Sequence, residues 1–248
     1  MPTVREWLSE APFSLALSAG FFGFFAHAGF VSVLEDEGLV PDAVTGSSAG
    51  ALVGGLWASG TPAARIEAEL RPLERAHFWD PAPGFGLLRG KLFRERVEAM
   101  LAASAFERAR LRVALSAFDV RARKTVVLER GDLARAICAS CAFPLLLQPV
   151  NVDGRAMLDG GIADRPGHAG LPRESKRILF HHLPSKSPWR KGEPAIPTRE
   201  GMVTIAIADL PRLGPFKLQR GAEAFDRARA AAKRALGAPV SRLVAEVA

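Results

Sequence analysis

Residues 44–60 read VTGSSAGALVGGLWASG and hold Ser48 in a Gly46-x-Ser48-x-Gly50 setting at the end of an apolar run. A serine at a sharp strand-to-helix turn sits in a strained backbone conformation, and the positions two residues away must be very small. The helix that follows offers free N–H groups, Ala49 among the first, and a positive dipole end where an oxyanion could form. A second small-residue turn lies in LALSAGFFGFFAHAG, where the amides of Gly20, Phe21, Phe22 and Gly23 could add donors. A base is offered by AMLDGGIADRP, which sets Asp159 after an apolar strand and before Gly160-Gly161. The chemistry these types suggest is acyl transfer: a hydroxyl attacks a carbonyl, a carboxylate takes its proton and amides hold the developing charge. Each piece also has a bland reading, a small-residue turn for Ser48 and an Asp-Gly β-turn for Asp159.

The elements that must position these residues follow from patterning. Strand-like runs recur at 13–18, 42–45, 111–118, 124–129, 145–152, 176–181 and 202–208, with helical patterns at 24–37, 49–59, 62–76, 92–103 and 132–140. This alternation predicts an α/β layered fold with a mostly parallel central sheet flanked by helices. The pattern breaks at 77–91 and again at 183–200, and an alanine-rich helix with a basic face is expected over 220–236. No stretch reads as a linker, so residues 1–248 are expected to form a single domain.

Residues 13–34 carry no formal charge over a length that could span a bilayer. The segment before them holds one Arg and two Glu, and the stretch itself contains three serines, His27 and three glycines. It reads as a strand, a glycine turn and a helix, not as a signal peptide or membrane span. A cytoplasmic or peripheral membrane location is therefore expected. The net charge of +7 is concentrated late: residues 165–248 hold 16 Lys/Arg against 7 Asp/Glu. That excess could contact an anionic membrane or simply be solvated. Tyrosine is absent and no zinc-finger or RNP-type pattern occurs, so nucleic acid is not an expected partner. Cys138 and Cys141 read as two buried reduced thiols on one helical face, since two cysteines alone cannot close a zinc site.

In order along the chain, LALSAGFFGFFAHAGFVSVLEDEGL, VTGSSAGALVGGL and MLDGGIADRP resemble the patatin-like phospholipase family, with GLLRGKLFRERVEAML and LERGDLARAICASCAFPLLLQPV in support. The likeness spans 13–166 and fades over the basic C-terminal part, 167–248. It implies a three-layer patatin-like fold and a Ser48–Asp159 dyad without histidine. It also implies an oxyanion hole from the 20–23 loop and an acyl-enzyme on lipid or other fatty-acyl esters. It implies no metal and no cofactor. One departure stands out: the family loop usually reads Gly-Gly-Gly-x-Arg-Gly, whereas Ala19-Gly20-Phe21-Phe22-Gly23-Phe24 stands here. Non-glycine residues restrict the positive-φ conformations such loops often use.

Two rivals follow from the residues. An α/β-hydrolase would recruit His168, His181 or His182 to a Ser-Asp-His triad, but only 47 residues precede Ser48 and no HGGG-type loop is among them. A lipid-binding protein with little turnover would explain the altered loop. His27 reads as a packing histidine, and His77 is uninformative.

Overall fold

The structure, a computed structural model, describes residues 1–184, 196–241 and 243–248. Of the expected break at 183–200, residues 185–195 lie outside the described residues. Seven α-helices occur in the described chain: α1 (Val4–Glu10), α2 (Phe24–Asp36), α3 (Ala49–Ala58), α4 (Ala63–Leu70), α5 (Lys91–Met100), α6 (Leu133–Ser140) and α7 (Gly221–Gly237). The strands are β1 (Ser14–Leu17), β2 (Ala43–Ser47), β3 (Gly86–Leu88), β4 (Arg112–Asp119), β5 (Lys124–Leu128), β6 (Leu145–Leu147), β7 (Val150–Val152), β8 (Arg155–Asp159), β9 (Ile178–His182), β10 (Met202–Ala208) and β11 (Leu243–Val247).

The main sheet runs β11-β10-β9-β1-β2-β4-β8-β7, with β5 also on β4. From β11 to β4 every neighbour is parallel, whereas β5, β8 and β7 add antiparallel pairs at one edge. This is the expected α/β architecture with a mostly parallel central sheet. Leu15, Leu17, Val44, Leu115, Leu179 and Ile205 share one core cluster with α2, α3, α6 and α7. On the opposite face Ala16, Ile178, Phe180 and Met202 pack with Leu171 and Ile196. Strands buried on both faces read as continuous apolar runs, which is why FSLALS resembled half of a membrane span. Among the described residues no helix is long and apolar enough to cross a membrane.

Several boundaries moved for local reasons. The single run expected at 145–152 divides into β6 and β7 around Pro149, which cannot donate a ladder hydrogen bond. The helix expected over 62–76 stops at Leu70, since Pro72 two residues on has no N–H with which to continue the helical ladder. Inside the expected loop 77–91, β3 forms by parallel pairing with β6. Asp80 then caps α5, accepting from the N–H groups of Gly90, Lys91 and Leu92 at 3.0, 2.6 and 3.1 Å.

Helix α7 buries its alanines at 224, 228, 231, 232 and 235 along with Phe225. Small side chains let α2 approach closely: a Cβ on Gly29 would come within 2.4 Å of the Phe225 carbonyl oxygen. The basic face of α7 is partly neutralised, Arg229 by Asp36 and Arg227 by Glu223.

Gly29→Ala is expected to lower the unfolding free energy by about 1–3 kcal/mol in denaturant titration, because the new methyl meets backbone that cannot rotate away. Gly237→Ala, with open space around it, should be neutral or stabilising by up to about 1 kcal/mol. Equal effects at both positions would contradict the close packing of α2 on α7.

Candidate active site

The last residue of β2, Ser47, is followed by Ser48 at φ 52°, ψ −117°, and α3 starts immediately after it. A non-glycine residue there costs about 1–3 kcal/mol and persists only where its surroundings over-determine it. The surroundings are the glycines of the motif. A Cβ on Gly46 would lie 2.6 Å from Gly50 backbone, and one on Gly50 would lie 2.2 Å from the Leu17 carbonyl. Both positions exclude any side chain, so the turn can be this tight only with glycine at 46 and 50.

Asp159 ends β8, which runs antiparallel to β4 with Asp159 opposite Ala117. On the other side of β4, Ser47 lies opposite Ser116. The two candidate residues therefore sit at one level, separated by one strand. The turn after Asp159 folds over that strand: a Cβ on Gly160 would lie 2.2 Å from the Ser116 carbonyl and 2.7 Å from Ser47 Oγ. A Cβ on Gly161 would meet that of Ala19 at 2.8 Å. The pair of glycines in the Asp-Gly-Gly motif is thus demanded by contact on both sides.

Across this turn Ser48 Oγ donates to Asp159 Oδ2 at 2.7 Å, while Gly161 N–H donates to Oδ1 at 2.8 Å. Asp159 is buried, and burial raises its pKa from the usual carboxylate range to about 6; the bonds from Ser48 and Gly161 pull the other way. An aspartate so held is ionised at neutral pH yet much more basic than one in water.

Gly20, Phe21 and Phe22 line the same cavity as Ser48, Ala49 and Asp159. Phe22 adopts φ 54°, so a phenylalanine occupies the left-handed conformation that a glycine would take without strain. Gly23 does not serve as expected. Its N–H donates to the Gly20 carbonyl at 2.9 Å and closes the turn that starts α2. A Cβ there would lie 2.5 Å from Leu183 Cδ1, so that side chain would have to shift. Gly20, Phe21, Phe22 and Ala49 remain among the residues that line the cavity, and Gly23 is not one of them.

Three supporting residues escaped the sequence reading. Ser140 Oγ accepts from the Ser48 N–H at 2.9 Å, and Cys141 Sγ–H donates to the Ser48 carbonyl at 3.2 Å, so the end of α6 braces the serine from both sides. Both cysteines are free thiols, as expected, but only Cys138 is fully buried; Cys141 caps the end of α6 and is half-buried, and desolvation raises its thiol well above the ordinary pKa. Asp164 accepts from the Ser116 hydroxyl and from the N–H groups of His168 and Ala169 at 3.0 and 2.9 Å. It ties β4 to the segment after the Asp159 turn.

The cavity beyond Ser48, about 120 Å³ in volume, is walled by apolar side chains, including Leu52, Leu70, Phe78, Phe93, Val97 and Met100, with Arg96 as a charged exception. No described histidine lines it. His27 Nε2–H donates to the Ser18 carbonyl at 2.8 Å, which leaves its Nδ1 to accept from His181 Nδ1–H at 2.9 Å. Both rings are buried and held neutral, His27 with a pKa lowered to about 4 by burial. His27 is a packing histidine that anchors the end of β1. His168 and His182 flank Phe180 on the other face of the sheet. Among the described residues no three His, Cys, Asp or Glu side chains converge as a metal ion would require.

The family model for patatin-like phospholipases matches residues 15–169. The chain belongs to that family. Among relatives of this patatin-like protein, an uncharacterized NTE family protein of Mycobacterium tuberculosis H37Rv is 34% identical over 154 residues, covering 61% of this chain and 43% of its own length. Lysophospholipase NTE1 of Yarrowia lipolytica is 25% identical over 180 residues, covering 70% of this chain and 13% of its own. The chain thus spans less than half the length of these relatives. Among solved structures, VipD of Legionella pneumophila superposes with a TM-score of 0.63 at 14% identity over 91% of this chain and 66% of its own. The type III effector ExoU gives 0.51 at 16% identity over 91% of this chain and 52% of its own. At such identities the structural likeness shows the fold.

Asp159→Asn is expected to stabilise the protein at alkaline pH. A folded-state pKa near 6 against an unfolded value near 4 means stability that is fully present below about pH 4 is lost as the pH rises through 6. Removing the ionisable group should raise the unfolding free energy at pH 8 by about 1–3 kcal/mol. A destabilised Asp159→Asn at that pH would count against the desolvated carboxylate.

Proposed function

We propose that this patatin-like domain is a serine acyl hydrolase that cleaves fatty-acyl esters of lipids, in the manner of a phospholipase A or lysophospholipase. The observation that carries the reading is the 2.7 Å bond from Ser48 Oγ to Asp159 at the end of an apolar cavity. An acyl chain would occupy the cavity and bring its carbonyl carbon to Ser48. As Oγ attacks, its proton passes to Asp159 Oδ2, and negative charge moves to the carbonyl oxygen, facing amides from Gly20, Phe21, Phe22 and Ala49. Collapse of the tetrahedral species breaks the ester bond, and the departing alcohol leaves with the proton from Asp159. Water then attacks the acyl-serine, gives its proton to Asp159, and the proton returns to Oγ as the fatty acid departs. Partition of the carboxylate toward pKa 6 favours each transfer over that available to an ordinary aspartate. The family membership and the name of the yeast relative, a lysophospholipase, support a lipid ester as substrate.

A second reading, a lipid-binding protein with little turnover, is favoured by one observation. The loop carries Phe22 in a left-handed conformation and spends the Gly23 amide within its own turn. A fluorophosphonate probe separates the two, since covalent capture lost in Ser48→Ala requires an activated nucleophile. Absence of capture in the unmodified protein would favour binding alone.

Hydrolysis of p-nitrophenyl esters of graded chain length should rise from acetyl toward medium and long chains as the cavity fills. Ser48→Ala and Asp159→Asn should each lower kcat/KM on the order of 10³-fold or more. His168→Ala and His182→Ala should stay within a few-fold of the unmodified protein; a collapse in either would revive a histidine triad. The pH profile should show an acid limb near 6, tenfold lower per unit below it, because only ionised Asp159 accepts the proton. A limb near 4 would remove Asp159 from that role.

A further inference from the structure

Three segments that line the cavity, 20–24, 74–91 and 141–149, touch one another, and a fourth, 209–220, packs against them. The rings of Phe21 and Phe143 stand 5.2 Å apart, and those of Trp79 and Phe216 stand 5.7 Å apart. A Cβ on Gly214 would be 3.6 Å from the Phe21 ring, and β3 pairs with β6. Large apolar side chains on these segments face solvent: Phe85 is 91% exposed, Leu145 86% and Phe216 67%. Soluble proteins rarely gather such side chains in one place without something to cover them.

Charge on the same segments is one-sided. Residues 74–91 and 209–220 together hold six Lys/Arg and three Asp/Glu, while 20–24 and 141–149 hold no charge. One of the three acids, Asp80, is turned inward to cap α5. Arg89, Arg212 and Lys217 have no ion-pair partner among the described residues, and Arg75 lies over the rings of Trp79 and Phe216 at 5.1 and 4.9 Å. On α7, Arg227, Arg229 and Arg234 are engaged by Glu223, Asp36 and Glu246. Three cations without an ion pair among the described residues, Arg89, Arg212 and Lys217, thus stand on the same segments as the exposed Phe85 and Phe216.

We propose that this rim is a docking face for an anionic lipid surface, in which Phe85, Leu145 and Phe216 enter the interface and Arg89, Arg212 and Lys217 meet the head groups. Apolar side chains that penetrate, ringed by basic ones that stay at the head-group level, are what such a surface recognises. Cations near an anionic leaflet attract it, and aromatic side chains lower into the acyl boundary. The proposal rests on the acyl-hydrolase reading of the cavity, because docking here would let a chain leave the bilayer and enter the cavity without crossing water.

The test uses the full chain carrying Ser48→Ala, so that no lipid is consumed, and co-sedimentation with two vesicle types: phosphatidylcholine alone and phosphatidylcholine with phosphatidylglycerol. Binding should be strong on the mixed vesicles, weak on phosphatidylcholine and reduced by salt. The pair Phe85→Ser with Leu145→Ser, and separately Arg212→Glu with Lys217→Glu, should each weaken binding about tenfold or more. Thermal unfolding midpoints should stay unchanged, since these side chains are exposed. Unchanged binding in both double variants, equal binding to the two vesicle types, or no binding at all would overturn the proposal. So would a stable dimer in solution that both double variants dissolve, which would make the occupant a second copy of the chain. Vesicle binding is read without turnover, so intact docking beside absent ester hydrolysis would defeat the enzymatic reading and leave the docking face standing.

Discussion

The hydrogen bond between Ser48 and Asp159 has to cross a strand. Neighbouring strands lie about 4.8 Å apart, so residues flanking β4 start about 9–10 Å apart along the sheet. The gap closes from both sides. Ser48 leaves β2 at positive φ, and the turn after Asp159 folds over Ser116. Neither movement tolerates a side chain at Gly46, Gly50, Gly160 or Gly161. Strain of this kind is held only by a stiff surrounding, supplied here by the parallel strands and the helices packed on them. The brace from Ser140 and Cys141 on Ser48, and from Asp164 on Ser116, holds the bridging strand and the elbow in register.

Desolvation links the chemistry proposed for the site to the substrate proposed for it. The apolar wall also withdraws water from Asp159, and that withdrawal moves the carboxylate toward neutral pH. A more polar cavity would leave the aspartate a poorer base, and a drier one would neutralise it. The hydrogen bonds from Ser48 and Gly161 keep it between those limits. The buried histidines take part in a different balance: His27 and His181 share a proton-ordered contact that secures the end of β1, close to the loop that lines the cavity.

Most of the fold was legible in the chain because its strands are apolar on both faces and its helices are bounded by proline and glycine. The segments that were not legible share one cause, dependence on distant partners. β3 and β11 are too short or too plain to announce themselves, and each exists by pairing with another strand, β6 or β10. α1 preceded a stretch read for its lack of charge, and its own capping box at Thr3 and Glu6 was passed over. The Gly23 amide looked available because a loop glycine carries no sign of where its N–H will point. Ser140 carries no local sign of its role, because its partner is 92 residues away.

Residue types and spacing alone determined the elbow at Ser48, the need for glycine around it, the Asp-Gly-Gly turn and the α/β alternation, since all of these are steric or local. Tertiary structure decided which carboxylate meets the serine, how basic it becomes and where the Gly23 amide is used. Those properties come from register across β4, from exclusion of water and from hydrogen bonds, none of which a linear pattern encodes.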